Sequence, residues 1–141
     1  YTGGEIKNPT YENHERHVEA VRVKFNPEII SYQELLNNFW VNHDPLDGEG
    51  QFCDRGYSYT AKIFYNEEQK DIALKSRKKI ASILNKEIDD IKTEILPKKV
   101  FWLAEKHHQD YAIRNPLRYN FYRFSCGRDQ RLKIIYGDDK N

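Results

Sequence analysis

Two short stretches carry side chains whose types and spacing could do chemistry. In NHERHVEAV, residues 13–21, His14, His17 and Glu19 fall within six positions. That spacing is open to a divalent metal, to use of Glu19 as a general acid if burial raises its pKa, or to three solvated loop side chains. No separate His, Asp or Cys cluster stands out to complete a ligand set. In GQFCDRGYSY, residues 50–59, Cys53 precedes Asp54 and Arg55, with hydroxyls at Tyr57, Ser58 and Tyr59 behind it. This cysteine is open to three uses: nucleophile, recycling thiol or small apolar filler.

Tyrosines number ten, and Tyr11, Tyr57 and Tyr59 flank probable loops. A phenol is a rigid donor that can hold an oxygen in an apolar pocket, or an ordinary core aromatic with its hydroxyl at the surface. His107, His108, Gln109 and Asp110 are open to a dyad with a cysteine or to plain helix-surface polarity. Cys126, the second of two cysteines, has Arg128 near it in sequence. Phosphate-binding glycine loops, nucleophile elbows and Walker patterns are absent from the chain.

These side chains need elements to hold them. VRVKF alternates Val21, Val23 and Phe25 with basic residues and predicts a half-buried strand. Ser31 and Glu34 form a capping box for a helix running to about His43, with Leu35, Leu36, Phe39 and Trp40 on one face. The segment Asp44 to Gly56 has three glycines and no period, and predicts a long functional loop. SYTAKIFY predicts a strand, and Asn66 with Gln69 cap a helix ending near Lys86, striped by Ile72, Ala73, Ile80, Ile83 and Leu84. IKTEILP predicts a strand stopped by Pro97. AEKHHQDYAIRN predicts a short helix closed by Asn115-Pro116, and RDQRLKIIYG another. Alternating strands and helices imply one layered α/β or α+β domain over residues 1–141.

The totals agree with a single globular domain. The chain has 141 residues, 38% hydrophobic and 32% charged, enough to bury roughly two-thirds of its unfolded surface. Basic and acidic residues nearly cancel, 23 against 22, so neither nucleic acid nor a membrane is the expected partner. No run approaches a membrane span and no signal pattern opens the chain. Two cysteines make neither a secreted disulfide framework nor a CxxC metal site, which favours a reducing, cytoplasmic setting.

The order of motifs is more specific than any of these. YTGG (1–4), NPTY (8–11), HVEAVRV (17–23), ISYQELL with FW and HDP (30–45), FCDRGYSY (52–59), TEILP (93–97), HHQDY with NP (107–116) and CGRDQRL (126–132) together resemble peptide methionine sulfoxide reductase, type A. The resemblance implies a ferredoxin-like two-layer α/β sandwich with a mixed sheet, reducing the S epimer of methionine sulfoxide, free or in proteins. It implies Glu19 as general acid, Tyr11 and Tyr59 as phenols on the sulfoxide oxygen, and Asp54 in substrate binding. It further implies thioredoxin or a similar dithiol as reductant, no cofactor, no metal, and a monomer.

Two family features are missing from these residues. The nucleophile's Gly-Cys-Phe-Trp motif precedes YTGG in the family, and the usual resolving cysteine lies between the matches to Tyr11 and Glu19. By the match Cys53 is not the attacking thiol and Cys126 is a possible recycling thiol. The expectation is therefore a native protein longer than this chain, its first strand and helix lying before Tyr1. The alternatives are a non-catalytic sulfoxide-binding or interaction module, and a metal protein using His14, His17 and Glu19.

Overall fold

Ser31 and Glu34 cap each other as expected: the Glu34 N–H donates to Ser31 Oγ at 3.1 Å and the Ser31 N–H to Glu34 Oε2 at 2.7 Å. They start helix α1, Tyr32–Trp40, shorter than the helix to His43 that the sequence suggests. The difference has a local cause. His43 places its ring Nδ1 2.8 Å from the Phe39 carbonyl, so a side chain serves a carbonyl that another turn of helix would have used. The computed structural model describes residues 1–137.

The long loop after α1 contains a two-residue ladder, β1 Gly50–Gln51 antiparallel to β2 Asp54–Arg55. Gly50 is required there, because a Cβ would sit 2.1 Å from the Asp54 carbonyl oxygen at a φ of +151°. The strand expected over SYTAKIFY is divided. Tyr57–Tyr59 forms a 3-10 turn, and strand β3 begins only at Lys62, running to Tyr65. Asn66 and Gln69 make their capping box, leading through a 3-10 turn into helix α2, Lys70–Ile83. The buried stripe of α2 is narrower than its apolar residues suggest: Ala73, Ser76, Ile80 and Ala81 are buried, while Ile72 and Ile83 are exposed.

Strand β4, Glu94–Pro97, pairs in parallel with β3, with Ile63 opposite Ile95. Parallel neighbours need a crossover, and α2 supplies it. Leu36, Trp40, Ile63, Ala73, Ile80, Ala81 and Ile91 pack into the core under this unit. The chain is thus a small α/β domain in which antiparallel and parallel pairing both occur, in two separate two-stranded sheets.

Three expectations outside this unit need correction. Val21, Val23 and Phe25 form no strand; Val21 is 88% and Val23 55% exposed, and no strand among the described residues pairs with them. Alternation marks a face that wants covering, and it becomes a strand only where a ladder partner exists. The segment around His107 is a 3-10 turn, Lys106–His108, and then a one-turn helix α3, Tyr111–Arg114, because Asp110 takes a left-handed φ of 53° between them. Pro116 closes α3 and also opens helix α4, Pro116–Ser125, which the sequence reading lacked; proline suits a helix's first turn, where its missing N–H is no loss. Helix α5, Arg128–Tyr136, lies over RDQRLKIIYG as anticipated. No helix among the described residues is long and apolar enough to cross a membrane.

Candidate functional site

The site is built by backbone pairings between segments far apart in sequence. Thr2 exchanges two backbone hydrogen bonds with Val18, at 3.2 and 2.9 Å, and also bridges Phe101. The next residue, Glu19, donates its N–H to the Ser58 carbonyl at 3.0 Å. That bond brings Glu19 against the 3-10 turn that carries Tyr59. Tyr11 approaches from the opposite side, held by its N–H donating to Glu105 Oε2 at 2.9 Å, while the Tyr1 hydroxyl donates to Glu105 Oε1 at 2.8 Å.

These placements bring together all four site residues expected from the sequence other than Cys126. The Tyr59 hydroxyl is close enough to Tyr11, Glu19 and Asp54 to feel all three. Burial is the main reason its pKa rises to about 12, with the two carboxylates and Tyr11 adding to it. Glu19 titrates above its ordinary range, chiefly through desolvation, with the Asp54 charge reinforcing the shift and His14 and His108 opposing it. Glu105 behaves oppositely. The Tyr11 N–H, first, and the Tyr1 hydroxyl hold its carboxylate down to about 2. Two carboxyl groups in one neighbourhood are therefore separated in role: Glu19 is pushed toward the protonated acid, and Glu105 is a fixed anion that anchors two tyrosines.

Comparison with known proteins gives this arrangement a family. The model of peptide methionine sulfoxide reductase matches residues 1–140. The chain belongs to the MsrA family of peptide methionine sulfoxide reductases. It is 48% identical to "Peptide methionine sulfoxide reductase MsrA 2" of Caulobacter vibrioides, an alignment covering 97% of this chain and 71% of that protein. It is 43% identical to "Peptide methionine sulfoxide reductase MsrA/MsrB" of Vibrio cholerae, over all of this chain and 38% of that protein. Among solved structures, methionine sulfoxide reductase A of Corynebacterium diphtheriae superposes with a TM-score of 0.69 at 30% identity, covering 83% of this chain and 64% of that one.

Within this MsrA chain the cysteines correct an expectation. Cys53 and Cys126 form a disulfide with Cα atoms 5.2 Å apart, and no free cysteine remains. Both thiols are consumed in this cross-link, and Cys53 is its exposed half, not a core filler. The reading of two cysteines too few for a disulfide framework overlooked that residues distant in sequence can meet.

His17 is also reassigned. It is fully buried, its Nδ1 accepts the Gly4 N–H at 3.2 Å and its Nε2 faces the Ile6 carbonyl at 2.8 Å, so both nitrogens are taken by backbone. His14 Nδ1 likewise faces the Thr10 carbonyl at 2.8 Å. The three-residue ligand reading loses its middle member to structural hydrogen bonding.

Three residues of the neighbourhood were not singled out in the sequence, Tyr1, Glu105 and Tyr122, and a fourth, His108, open there to a dyad with a cysteine, lies instead beside Tyr11. The His108 ring lies 5.1 Å from that of Tyr11, and the Tyr1 ring stacks on His14 at 4.9 Å. Tyr122, on α4, has its pKa raised by burial first and by the nearby Asp54 carboxylate. A local signal existed for Glu105, two residues before the HHQDY motif that contains His108; α4 was itself unanticipated, so Tyr122 had none.

Proposed function

We propose that this chain carries the oxygen-activating half of a peptide-methionine (S)-S-oxide reductase site. Glu19 is the general acid, Tyr11 and Tyr59 hold the sulfoxide oxygen, and Asp54 orders the polar side of the substrate. The observation that carries this reading is the convergence of a carboxyl group with a raised pKa on two phenols in mutual reach. Sulfoxide oxygen leaves sulfur poorly as an anion, so a proton must arrive as the bond breaks. Phenolic O–H donors stabilise charge gathering on that oxygen in a partly dry site.

In the reaction, a cysteine thiolate attacks the sulfoxide sulfur, Glu19 delivers the proton, and the products are the thioether and a cysteine sulfenic acid. Cys53 and Cys126 do not supply that thiolate while bonded to each other. A dithiol such as thioredoxin then reduces the sulfenic acid, releasing water and becoming a disulfide. The substrates are oxidised proteins or free methionine sulfoxide, met by a monomer in the cytoplasm.

The test is an NMR titration of the chain with N-acetyl-methionine sulfoxide methylamide, each sulfur epimer separately. The S epimer is expected to shift resonances of Tyr11, Glu19, Asp54 and Tyr59 at concentrations where the R epimer and the thioether leave them in place. Equal response to both epimers, or shifts confined to other residues, removes this function from the chain.

A further inference from the structure

One peptide group, that joining Thr10 to Tyr11, is gripped on both of its edges. Its carbonyl, which belongs to Thr10, accepts the Asn13 N–H at 3.0 Å and faces His14 Nδ1 at 2.8 Å. Its N–H, which belongs to Tyr11, donates to Glu105 Oε2 at 2.9 Å. The other oxygen of the same carboxylate, Oε1, accepts the Tyr1 hydroxyl at 2.8 Å, and the Tyr1 ring stacks on His14 at 4.9 Å. The contacts close a ring, from Glu105 through Tyr1 and His14 to the Thr10 carbonyl, and from the Tyr11 N–H back to Glu105.

Glu105 is itself tied down. The Gln109 side-chain amide donates to the carbonyl of the preceding residue, Ala104, at 2.9 Å, and the Trp102 N–H donates to the Tyr1 carbonyl at 2.8 Å. The Glu105 carbonyl accepts the His108 N–H at 2.9 Å, and the His108 ring lies 5.1 Å from that of Tyr11. One residue thus holds Tyr11 by its side chain and, by its backbone, the imidazole beside Tyr11. Tyr11 depends on such a hold: it is 49% exposed and lies in no helix or strand, so core packing does not aim its ring. A tyrosine side chain has two torsions that settle into few wells, and once its peptide plane is fixed the hydroxyl has few places to point. A carboxylate suits the task, because its two oxygens accept charge-assisted hydrogen bonds from donors on two different segments at once.

We propose that Glu105 is a positioning residue for the sulfoxide site: its carboxylate, bridging the Tyr1 hydroxyl and the Tyr11 N–H, aims the Tyr11 phenol at the substrate oxygen. This rests on the reading of the Glu19–Tyr11–Tyr59 pocket as a sulfoxide site. Glu105 acts through Tyr11, so its effect on binding requires the Tyr11 hydroxyl.

The test uses the intact chain and two readouts, the dissociation constant of N-acetyl-methionine-(S)-sulfoxide methylamide and the NMR resonance of the Tyr11 amide proton. Glu105→Ala is expected to weaken binding about three- to tenfold, the range for the one hydrogen bond that a misaimed Tyr11 hydroxyl forfeits. It is also expected to move the Tyr11 amide proton upfield, since the charged acceptor of that proton is gone. In a Tyr11→Phe background the same substitution is expected to change affinity less than about twofold, because the hydroxyl it aims is absent. Glu105→Gln keeps one acceptor oxygen and is expected to lose affinity in the same direction by less; it replaces the alanine variant in both backgrounds if circular dichroism shows that variant unfolded. Equal binding by the parent chain and the Glu105 variant overturns the proposal. So does an equal loss with and without the Tyr11 hydroxyl, which marks a general structural effect, and so does a Tyr11 amide proton that stays in place. If the parent chain fails to bind the S epimer, the reading of the pocket fails first and this inference with it.

Discussion

Residues 31–97 and the segments on either side of them solve the same problem in different ways. In the central stretch, α1, β3, α2 and β4 bury Trp40, Ala73, Ile80 and Ile91 against one another. Its stability is local packing, with short-range caps at Ser31 and Asn66. The flanking segments, 1–30 and 98–137, bury Tyr1, Val18 and Leu132 but leave large apolar side chains such as Val21, Leu117, Phe121 and Phe124 in solvent. They are held by point attachments, namely the Thr2–Val18 and Thr2–Phe101 bridges, the Tyr1–Glu105–Tyr11 cluster and one disulfide. The candidate site draws on both: Tyr11 and Glu19 come from the flanking segments, Asp54 and Tyr59 from the long loop of the central stretch and the turn that follows it. A pocket whose Glu19, Tyr11, Asp54 and Tyr122 come from four distant places is assembled by attachments between segments, and each attachment can be cut singly.

The sharpest way to break that contrast is to strike the packed half. Trp40 is 1% exposed and its indole N–H donates to Ser76 Oγ at 3.0 Å. Trp40→Ala leaves a large cavity and a Ser76 hydroxyl that keeps only its bond to the Ala73 carbonyl, and is expected to lower unfolding free energy by about 3–5 kcal/mol in urea titration. A loss under about 1 kcal/mol would mean that the centre is not packed as described. The next effect falls on the attached half. Cys126→Ser opens a covalent loop between residues 73 positions apart, and loss of such a cross-link lowers stability by about 2–4 kcal/mol. Limited proteolysis should then cut first within 98–137 and leave the β3–α2–β4 unit protected longer. Cuts appearing first within 62–97 would erase the distinction between the halves.

The same division decided what could be read from the sequence. Capping boxes, the α2 stripe and the period-2 run at Ile95 are local signals, and each found its element because the buried partner is a sequence neighbour or one crossover away. The family resemblance implied that Glu19, Tyr11, Tyr59 and Asp54 share one neighbourhood. What stayed hidden depended on partners that no window contains. Val21 and Val23 alternate correctly for a strand and still lack a ladder, and Pro116 served as both terminator and helix start. The pairing of Cys53 with Cys126 follows from the α4–α5 corner reaching the hairpin tip, a tertiary fact with no periodic trace.

Acid exposes the packed half in a second way. His43 is buried neutral, its Nε2 2.8 Å from Thr93 Oγ1, and desolvation lowers its pKa to about 4 against the pull of the Phe39 carbonyl and the Asp44 charge, with Arg128 adding to the lowering. The unfolded chain takes this proton near pH 6.5 and the folded chain does not, so stability present above pH 6.5 is lost as pH falls toward 4. At pH 5.5 the loss from this group is about 1.4 kcal/mol relative to pH 7.5. His43→Gln is expected to be less stable at pH 7.5 and to show a flatter decline down to pH 5.5. An identical decline in both proteins would assign the acid sensitivity elsewhere.

Glu19 carries the smallest effect and the opposite sign, which makes it the finest probe of the contrast. Its folded pKa stands above the ordinary carboxylate value because the surrounding pocket desolvates it, with Asp54 adding and His14, His108 and the Tyr1 amino group subtracting. The folded chain therefore keeps this proton longer than the unfolded chain does, and the stability linked to it is complete below about pH 4.5 and disappears as pH rises through the folded pKa. Above that point an ionised Glu19 burdens the fold, and water at this exposed position limits the burden to less than about 1 kcal/mol. Glu19→Gln, uncharged at every pH, is expected to match the parent chain at pH 4 and to become the more stable of the two by pH 7, with the gap opening between those limits. On the proposed mechanism the same substitution also removes the proton a departing sulfoxide oxygen needs. A gap that stays constant with pH would show that the Glu19 carboxyl titrates alike in the folded and unfolded chains, and would leave the pocket without its acid.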